Sequence, residues 1–157
     1  MTKECFLKQF ADGKKKMDLN QAANLIRRML ADYPMLPKTG HLNRLEYVHR
    51  LAQRTACMEL EAAMRNASPW EDYREIIADY EWGYMRRAAM HSMEDRWKGP
   101  DGKKWGMSDA WIIEMWFAYH DIYRRMPGEI PDITPWRIYD NLMWHIERQT
   151  RKYRRNL

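Results

Sequence analysis

The sequence predicts an all-α fold, an irregular bundle of about six helices that forms a single domain over residues 1–157. Three observations support this prediction of an all-α fold. Apolar side chains recur three and four residues apart over long stretches, which is the period of a helix with one buried face. Only seven Gly and seven Pro interrupt the chain, so the regular elements are long. No stretch shows the apolar and polar alternation of a half-buried strand.

The first two helices are predicted from their ends. A short helix covers residues 3 to about 11 and is closed by Gly13. The second begins after Asp18, which has Gln21 three residues later as in a capping box, and ends at Pro34. Its apolar residues fall at helical spacing, so it is amphipathic.

The third and fourth predicted helices are separated by a short segment that ends at Ser68, directly before Pro69. The third runs from about Gly40 to Asn66. The fourth covers residues 69–97, with Ser68 as N-cap and Glu71 completing a capping box. Its predicted inner stripe consists of Trp70, Tyr73, Ile77, Tyr80, Tyr84 and Ala88.

The fifth helix covers residues 109–126 after an N-cap at Ser108 and is apolar nearly all round. In the segment WIIEMWFAYH, residues 111–120, we expect Glu114 alone to mark a solvated face. Such a helix must be covered on every side. It is either the central helix of the bundle, or it offers one face to a partner or to a second copy of the chain.

A sixth helix is predicted to start at Thr134, where TPWRIYDNL resembles the earlier SPWEDYREI at residues 68–76. Ser or Thr followed by Pro is typical of a helix start, because Pro has no N–H to leave unsatisfied at the first helical position. The two segments agree only in this local chemistry and in apolar spacing. We interpret them as the same helix start used twice, and not as an internal duplication.

The formal net charge of +5 is concentrated at the C-terminal end. Residues 1–147 contain 22 Lys and Arg against 22 Asp and Glu, whereas residues 148–157 hold five cations and no acid. This basic end either binds phosphates or an acidic protein surface, or is a solvated helix end whose cations complement the helix dipole. The candidate residues for binding nucleic acid or an acidic partner are Arg148, Arg151, Lys152, Arg154, Arg155 and the run Lys14, Lys15 and Lys16.

Known catalytic and cofactor motifs are missing from the sequence. It contains no glycine-rich phosphate loop, no G-x-S-x-G and no HExxH, and Cys5 and Cys57 form no zinc pattern. The first 16 residues contain no apolar run of signal-peptide length, and no later stretch approaches the apolar length of a membrane span. We therefore expect a soluble, cytoplasmic protein with reduced thiols, no catalytic residue, no metal, no cofactor and no membrane partner.

Three polar groupings deserve comparison with metal sites. Glu46 and His49 have the Glu-x-x-His spacing of a carboxylate-bridged di-iron site, but the chain has no second such pair. The acids Glu71, Asp72, Glu75 and Asp79 are interpreted as the first turns of a helix, which the helix dipole favours. The set His91, His120, Asp121 and Asp140 resembles the ligands of HD-type phosphohydrolases, a resemblance that covers these four residues and implies a metal-dependent phosphohydrolase.

The sequence favours a non-enzymatic helical binding protein that acts on nucleic acid or on a protein complex that handles nucleic acid. One alternative is a small inhibitor or adaptor that works purely by protein contact, of the kind bacteriophages make against host immune complexes such as CRISPR-Cas. The second alternative is the metal-dependent phosphohydrolase. A homodimer is one option for the assembly. The candidate interface residues are Trp111, Trp116, Tyr119, Arg124 and Arg125.

Overall fold

The computed structural model confirms the all-α prediction. It describes residues 2–12, 17–33, 44–93, 107–127 and 148, and these contain helices and no strand. The five helices are α1 (Lys3–Asp12), α2 (Leu19–Asp32), α3 (Arg44–Asn66), α4 (Tyr73–Met93) and α5 (Met107–Arg125). The predicted sixth helix lies outside the described residues, apart from Arg148, which is helical. None of the described helices is long and apolar enough to cross a membrane.

Helix α2 begins after Asp18, as the sequence predicts. The Asp18 carboxylate accepts a hydrogen bond from the Gln21 backbone N–H at 2.8 Å, and the Gln21 side chain accepts from the Asp18 N–H at 3.3 Å. Two of the orphan N–H groups of the helix start are satisfied in this way. The capping box therefore forms as predicted.

The start of α4 differs from the prediction. Residues 68–71 form a closed turn, in which Glu71 N–H donates to the Ser68 carbonyl at 2.9 Å and the Glu71 carboxylate accepts from the Ser68 N–H at 2.6 Å. The helix begins only at Tyr73, after Asp72. Asp72 is the N-cap, since its carboxylate accepts from the Arg74 N–H at 3.0 Å and its carbonyl accepts from Ile76 N–H at 3.2 Å. The prediction of Ser68 as N-cap was wrong because a second cap residue lay one turn further on.

Helix α5 is largely buried within the bundle, and whether it also offers a face to a partner stays a prediction. It packs against both α3 and α4, while α2 covers α3 and α1 covers α4. Its fully buried side chains include Ile113, Met115, Trp116, Tyr119, Ile122 and Tyr123. The ring of Tyr119 lies 5.3 Å from that of Tyr80 and 5.2 Å from that of Tyr84. These aromatic contacts join α5 to α4.

Helices α2 and α3 run antiparallel, as their side-chain contacts show. The Arg65 guanidinium near the end of α3 donates to the Asn24 side chain near the start of α2 at 2.9 Å. At the end of α2, the Tyr33 carbonyl accepts a hydrogen bond at 3.4 Å from Arg54, which lies near the middle of α3. The end of α2 is also tied to the end of α5, because Arg125 donates to Asp32 at 2.9 Å.

Candidate binding surface

A groove lies where α1, the end of α3 and the start of α4 meet. Its volume is about 400 Å³. Apolar side chains from α1 and α4 form one part of its wall, namely Leu7, Ile76 and Tyr80. Four carboxylates form the other part, namely Glu71, Asp72, Glu75 and Asp79. We call this feature the acidic groove.

The local structure explains why the carboxylates gather at one place. Asp72 caps α4, and Glu75 and Asp79 lie in the first two turns of that helix, where negative charge is stabilised by the helix dipole. Glu75 and Asp79 are four residues apart, so they are neighbours on one face. The sequence-based interpretation of these acids as the first turns of a helix is confirmed for Glu75 and Asp79, whereas Asp72 caps the helix and Glu71 lies in the turn before it.

The four carboxylates differ in how much charge they offer to a ligand. Asp72 is occupied within the protein, because the Arg74 guanidinium Nε lies 3.0 and 2.9 Å from its two oxygens. Asp79 forms an ion pair with Lys3 of α1 at 2.5 Å, and the two side chains are 54% and 48% exposed. Glu71 and Glu75 are exposed. The outward negative charge of the acidic groove therefore comes mainly from Glu71, Glu75 and Asp79.

A large, exposed aromatic residue precedes the acidic groove in the sequence. Trp70 is 84% exposed and directly precedes Glu71, which lines the groove. The prediction that Trp70 belongs to the inner stripe of α4 was wrong, since the closed turn at residues 68–71 holds it before the helix and away from the core. Trp is among the residues most enriched in the energetically dominant parts of protein interfaces. An exposed Trp next to an acidic groove is a feature that favours binding of a protein.

Buried polar pairs form the second notable feature, and the sequence did not predict them. The His120 Nδ1 contacts a carboxylate oxygen of Glu81 in the core, where the two side chains are 7% and 0% exposed. The His120 ring also stacks on Trp116, with 5.9 Å between ring centroids. Glu81 follows Ile77 by one helical turn, so its place on the buried face of α4 was a signal in the sequence.

A second pair, His49 and Glu114, shows that the prediction of a solvent-exposed Glu114 in α5 was wrong. Glu114, expected to mark a solvated face, is 2% exposed. The Nδ1 atom of His49 on α3 lies 2.5 Å from Glu114 Oε2. A buried carboxylate is tolerated when a hydrogen-bonding partner faces it, and α3 supplies that partner. One partner of His49 is thus a carboxylate 65 residues away in the sequence.

Burial also changes the acid–base behaviour of the core. Burial raises the pKa of Tyr119, and its hydrogen bond to the Glu59 carboxylate raises that pKa further. Burial likewise raises the pKa of the Cys57 thiol to about 12. Both groups are therefore protonated in the folded protein near neutral pH.

The resemblance to HD-type phosphohydrolases rests on four residues, of which His120 and Asp121 have described side chains. His120 faces Glu81 on α4, whereas Asp121 accepts a hydrogen bond at 3.2 Å from the hydroxyl of Tyr33, the residue that follows α2. The two adjacent residues therefore contact different parts of the structure. Asp140 and the side chain of His91 lie outside the described part of the structure. Among the described residues, no group of three or more His, Cys, Asp and Glu side chains could hold a metal ion.

The predicted interface residues divide into core and surface. Trp116 and Tyr119 are fully buried in the core of the bundle, which removes them from any surface of the folded chain. Trp111 is half-buried, and Arg124 is exposed. Arg125 is engaged within the protein, since it pairs with Asp32 and lies over the Tyr33 ring at 5.5 Å. Apolar side chains that suit an interface suit the core equally well, and packing placed two of them inside.

The predicted basic residues lie mostly outside the described part of the chain. Arg148 is helical and exposed. The remaining candidates for binding phosphate or an acidic partner, which are Arg151, Lys152, Arg154, Arg155, Lys14, Lys15 and Lys16, fall outside the described residues. Their role stays a prediction.

Comparison with known proteins found no match: no family model, no curated protein and no solved structure matches this chain. A functional hypothesis therefore rests on the surface chemistry of the chain itself.

Proposed function

We propose that this chain is a non-enzymatic binding protein that contacts a protein of a nucleic-acid-handling complex. The observation that supports this function is the exposed Trp70 beside the acidic groove. Proteins that bind nucleic acids present Lys and Arg on their working surfaces, because these neutralise phosphates. An acidic groove is complementary to such a surface and repels phosphates themselves.

The proposed contact has the chemical make-up of a small protein interface. The Trp70 indole supplies a large apolar area that loses water on binding, which is the usual source of interface energy. Glu71 and Glu75 supply charge that speeds association and disfavours partners of the same sign. Trp70 and Glu71 belong to one hydrogen-bonded turn, so little ordering is required when a partner binds.

Affinity purification of the intact protein from its source cells tests this function. We expect that a defined protein partner co-purifies with the wild type and is lost with Trp70→Ala. Met58→Ala is the matched control, because Met58 is an exposed apolar residue of α3, 58% exposed, that does not line the groove. A partner retained equally by both variants would contradict the role of Trp70.

Direct binding to nucleic acid is the second candidate, supported by the five cations of residues 148–157. Titration against labelled single- and double-stranded DNA and RNA at two salt concentrations measures it. Salt-sensitive binding that disappears when Arg151, Lys152, Arg154 and Arg155 are replaced together by Ala would support it. If binding occurs but is unchanged by this replacement, the basic end is not the binding element.

The inhibitor and the adaptor alternatives share the protein contact and differ in its outcome. An inhibitor that covers the basic surface of its partner abolishes nucleic-acid binding by that partner. An adaptor leaves this binding intact. Nucleic-acid binding by the purified partner, measured with and without the wild-type chain, therefore separates the two alternatives.

A further inference from the structure

We infer that α4 binds the α4 of a second copy of the chain in an antiparallel homodimer centred on Gly83, an inference that goes beyond the proposed function and does not rest on it. Three features of the outward face of α4 lead to this partner: a glycine that packing within the chain does not require, charges that complement each other, and apolar side chains at both ends. We call this face the outer stripe; it consists of Ile76, Asp79, Gly83, Arg86 and Met90.

The outer stripe lies on one side of α4. Its residues follow one another at intervals of three, four, three and four, the spacing that keeps side chains on one helix face and that paired helices share. Four of the five residues are exposed, and Ile76 is partly buried. The opposite face of α4 is turned to the core, where Ile77, Glu81 and Ala88 are fully buried. The outer stripe is therefore a helix face that the single chain leaves largely exposed.

Gly83 stands at the centre of the outer stripe. A glycine inside a helix is destabilising relative to alanine, because its backbone loses more freedom on folding. Gly83 is exposed, and a Cβ at this position would meet no heavy atom within 4 Å. The single chain therefore does not need so small a residue there. A second helix that crosses at Gly83 does need one, because the missing side chain lets two backbones approach closely.

The charges of the outer stripe complement each other across Gly83. Asp79 lies four residues before Gly83 and Arg86 lies three after it, which is about 6 and 4.5 Å along the helix axis. Because seven residues make almost two complete turns, the two charged side chains leave the helix in nearly the same direction. A two-fold axis at Gly83 that reverses the second helix therefore places Asp79 of each copy beside Arg86 of the other. A parallel pair would bring like charges together, which is unfavourable.

The same register places apolar side chains at both ends of the contact. Ile76 lies seven residues before Gly83 and Met90 seven residues after it, so Ile76 of each copy lies beside Met90 of the other. Met90 is 58% exposed in the single chain, and covering it removes apolar area from water. Every residue of the outer stripe thus meets a suitable partner in one arrangement. A second copy supplies this pattern by symmetry, which is why we infer a homodimer.

Both charged residues of the outer stripe can accept a second copy. The Oδ1 atom of Asp79 pairs with Lys3 Nζ at 2.5 Å, and both side chains are about half exposed. A carboxylate has about four lone-pair sites, so Asp79 can pair with Lys3 and with a guanidinium at the same time. Arg86 is exposed and forms no ion pair with a described residue. Its guanidinium is therefore available to the carboxylate of a second copy.

Sedimentation equilibrium of the full-length protein tests the inference. We expect a monomer–dimer equilibrium between about 5 and 200 µM, since a contact of about four helical turns is at the small end of specific interfaces. Asp79→Arg and Arg86→Asp each turn both ion pairs into like-charge pairs, so each variant should associate at least about tenfold more weakly. Arg28→Asp is the matched control for Arg86→Asp, because Arg28 is exposed on α2 and its replacement changes the net charge equally.

A mixture of the two charge variants identifies the arrangement. The outer stripe of Asp79→Arg carries two cations, and that of Arg86→Asp carries two acids. An antiparallel pair made of one copy of each therefore has both ion pairs again. We expect the equimolar mixture to dimerise about as tightly as the wild type, although neither variant does so alone.

Gly83→Gln separates a role in the dimer from a role in the fold. Gln is a better helix former than Gly and its side chain meets open space in the single chain, so the thermal midpoint of the monomer should rise. In the dimer the same side chain holds the two helices apart. We expect association to weaken by about tenfold.

Three results would overturn the inference. A wild type that stays monomeric at about 200 µM would exclude the homodimer. Equal weakening by Arg86→Asp and Arg28→Asp, or an equimolar mixture of the charge variants that stays monomeric, would exclude α4 as its interface. A Gly83→Gln variant that dimerises as well as the wild type would exclude the close approach at Gly83. Capture of a partner protein through Trp70 is a separate measurement, and the proposed function stands or fails by it alone.

Discussion

Replacing His120 by Ala tests whether the buried polar pair of the core stabilises the fold. The Glu81 side chain is fully buried, and its oxygen Oε2 has no hydrogen-bond partner among the described residues, so His120 supplies the contact at Oε1. Removing one member of a buried pair leaves the other as an uncompensated buried charge, which costs about 3–5 kcal/mol. The loss of the imidazole also removes its stacking on Trp116.

Urea unfolding at neutral pH, followed by circular dichroism, measures this cost. For a domain of this size the free energy of unfolding falls by about 2 kcal/mol per molar urea, so His120→Ala should lower the midpoint by about 2 M. Replacing both Glu81 and His120 by Leu removes the charge together with its partner, and we expect this double variant to be close to the wild type or more stable. The double variant also reports on the fold if His120→Ala is too unstable to purify.

The matching pair on the other side of α5 provides the control. His49 is 39% exposed, so water can reach the Glu114 carboxylate when His49 is replaced by Ala. We therefore expect a smaller loss, about 1–3 kcal/mol. If His120→Ala shifted the midpoint no more than His49→Ala did, or if the Leu double variant were less stable than His120→Ala, the reasoning about buried charge would be refuted.

Three further predictions concern the helix start, the exposed Trp and the buried thiol. Asp72→Ala should lower the free energy of unfolding by about 1 kcal/mol, more than Ser68→Ala does, because Asp72 caps α4; equal losses in urea unfolding would contradict this. Trp70→Ala should change stability by less than about 0.5 kcal/mol, whereas Trp116→Ala should cost about 3–5 kcal/mol, and similar midpoints would refute these positions. Burial raises the pKa of Cys57 from 9.0 to about 12, so its contribution to stability is complete below pH 9 and is lost as the pH rises toward 12. Unfolding free energies measured across this range should fall with pH, and a flat profile would contradict the burial of the thiol.

The elements of this fold were largely predictable because their signals are local. The cap at Asp18 and its partner Gln21 lie within a few residues of the backbone groups they affect, and α2 begins as predicted and ends at Asp32, two positions before Pro34 in the sequence. The start of α4 shows where local signals compete. Ser68, Glu71 and Asp72 all favour a helix start, and only the complete set of hydrogen bonds shows that Asp72 begins the helix while Ser68 and Glu71 close a turn.

The candidate site was less predictable, because it depends on contacts between distant parts of the chain. The carboxylates of the acidic groove were visible as a cluster in the sequence, but the wall that makes them a groove includes Leu7 from α1. Trp70 has the spacing of a core residue and lies outside, while Trp116 and Tyr119 suit an interface and lie inside. Residue type alone did not separate these cases, since aromatic side chains are stable in either place.

The amino-acid sequence by itself determined that this protein is a bundle of amphipathic helices, because helical periodicity and most end signals act over one or two turns of the chain. Only the tertiary structure decided which of its polar residues are buried. Glu81 and Glu114 enter the core because His120 and His49, 39 and 65 residues away, are brought against them by the packing of α5. A charge is stable inside a protein only when its partner is present, and partners so distant in sequence meet only when the helices assemble.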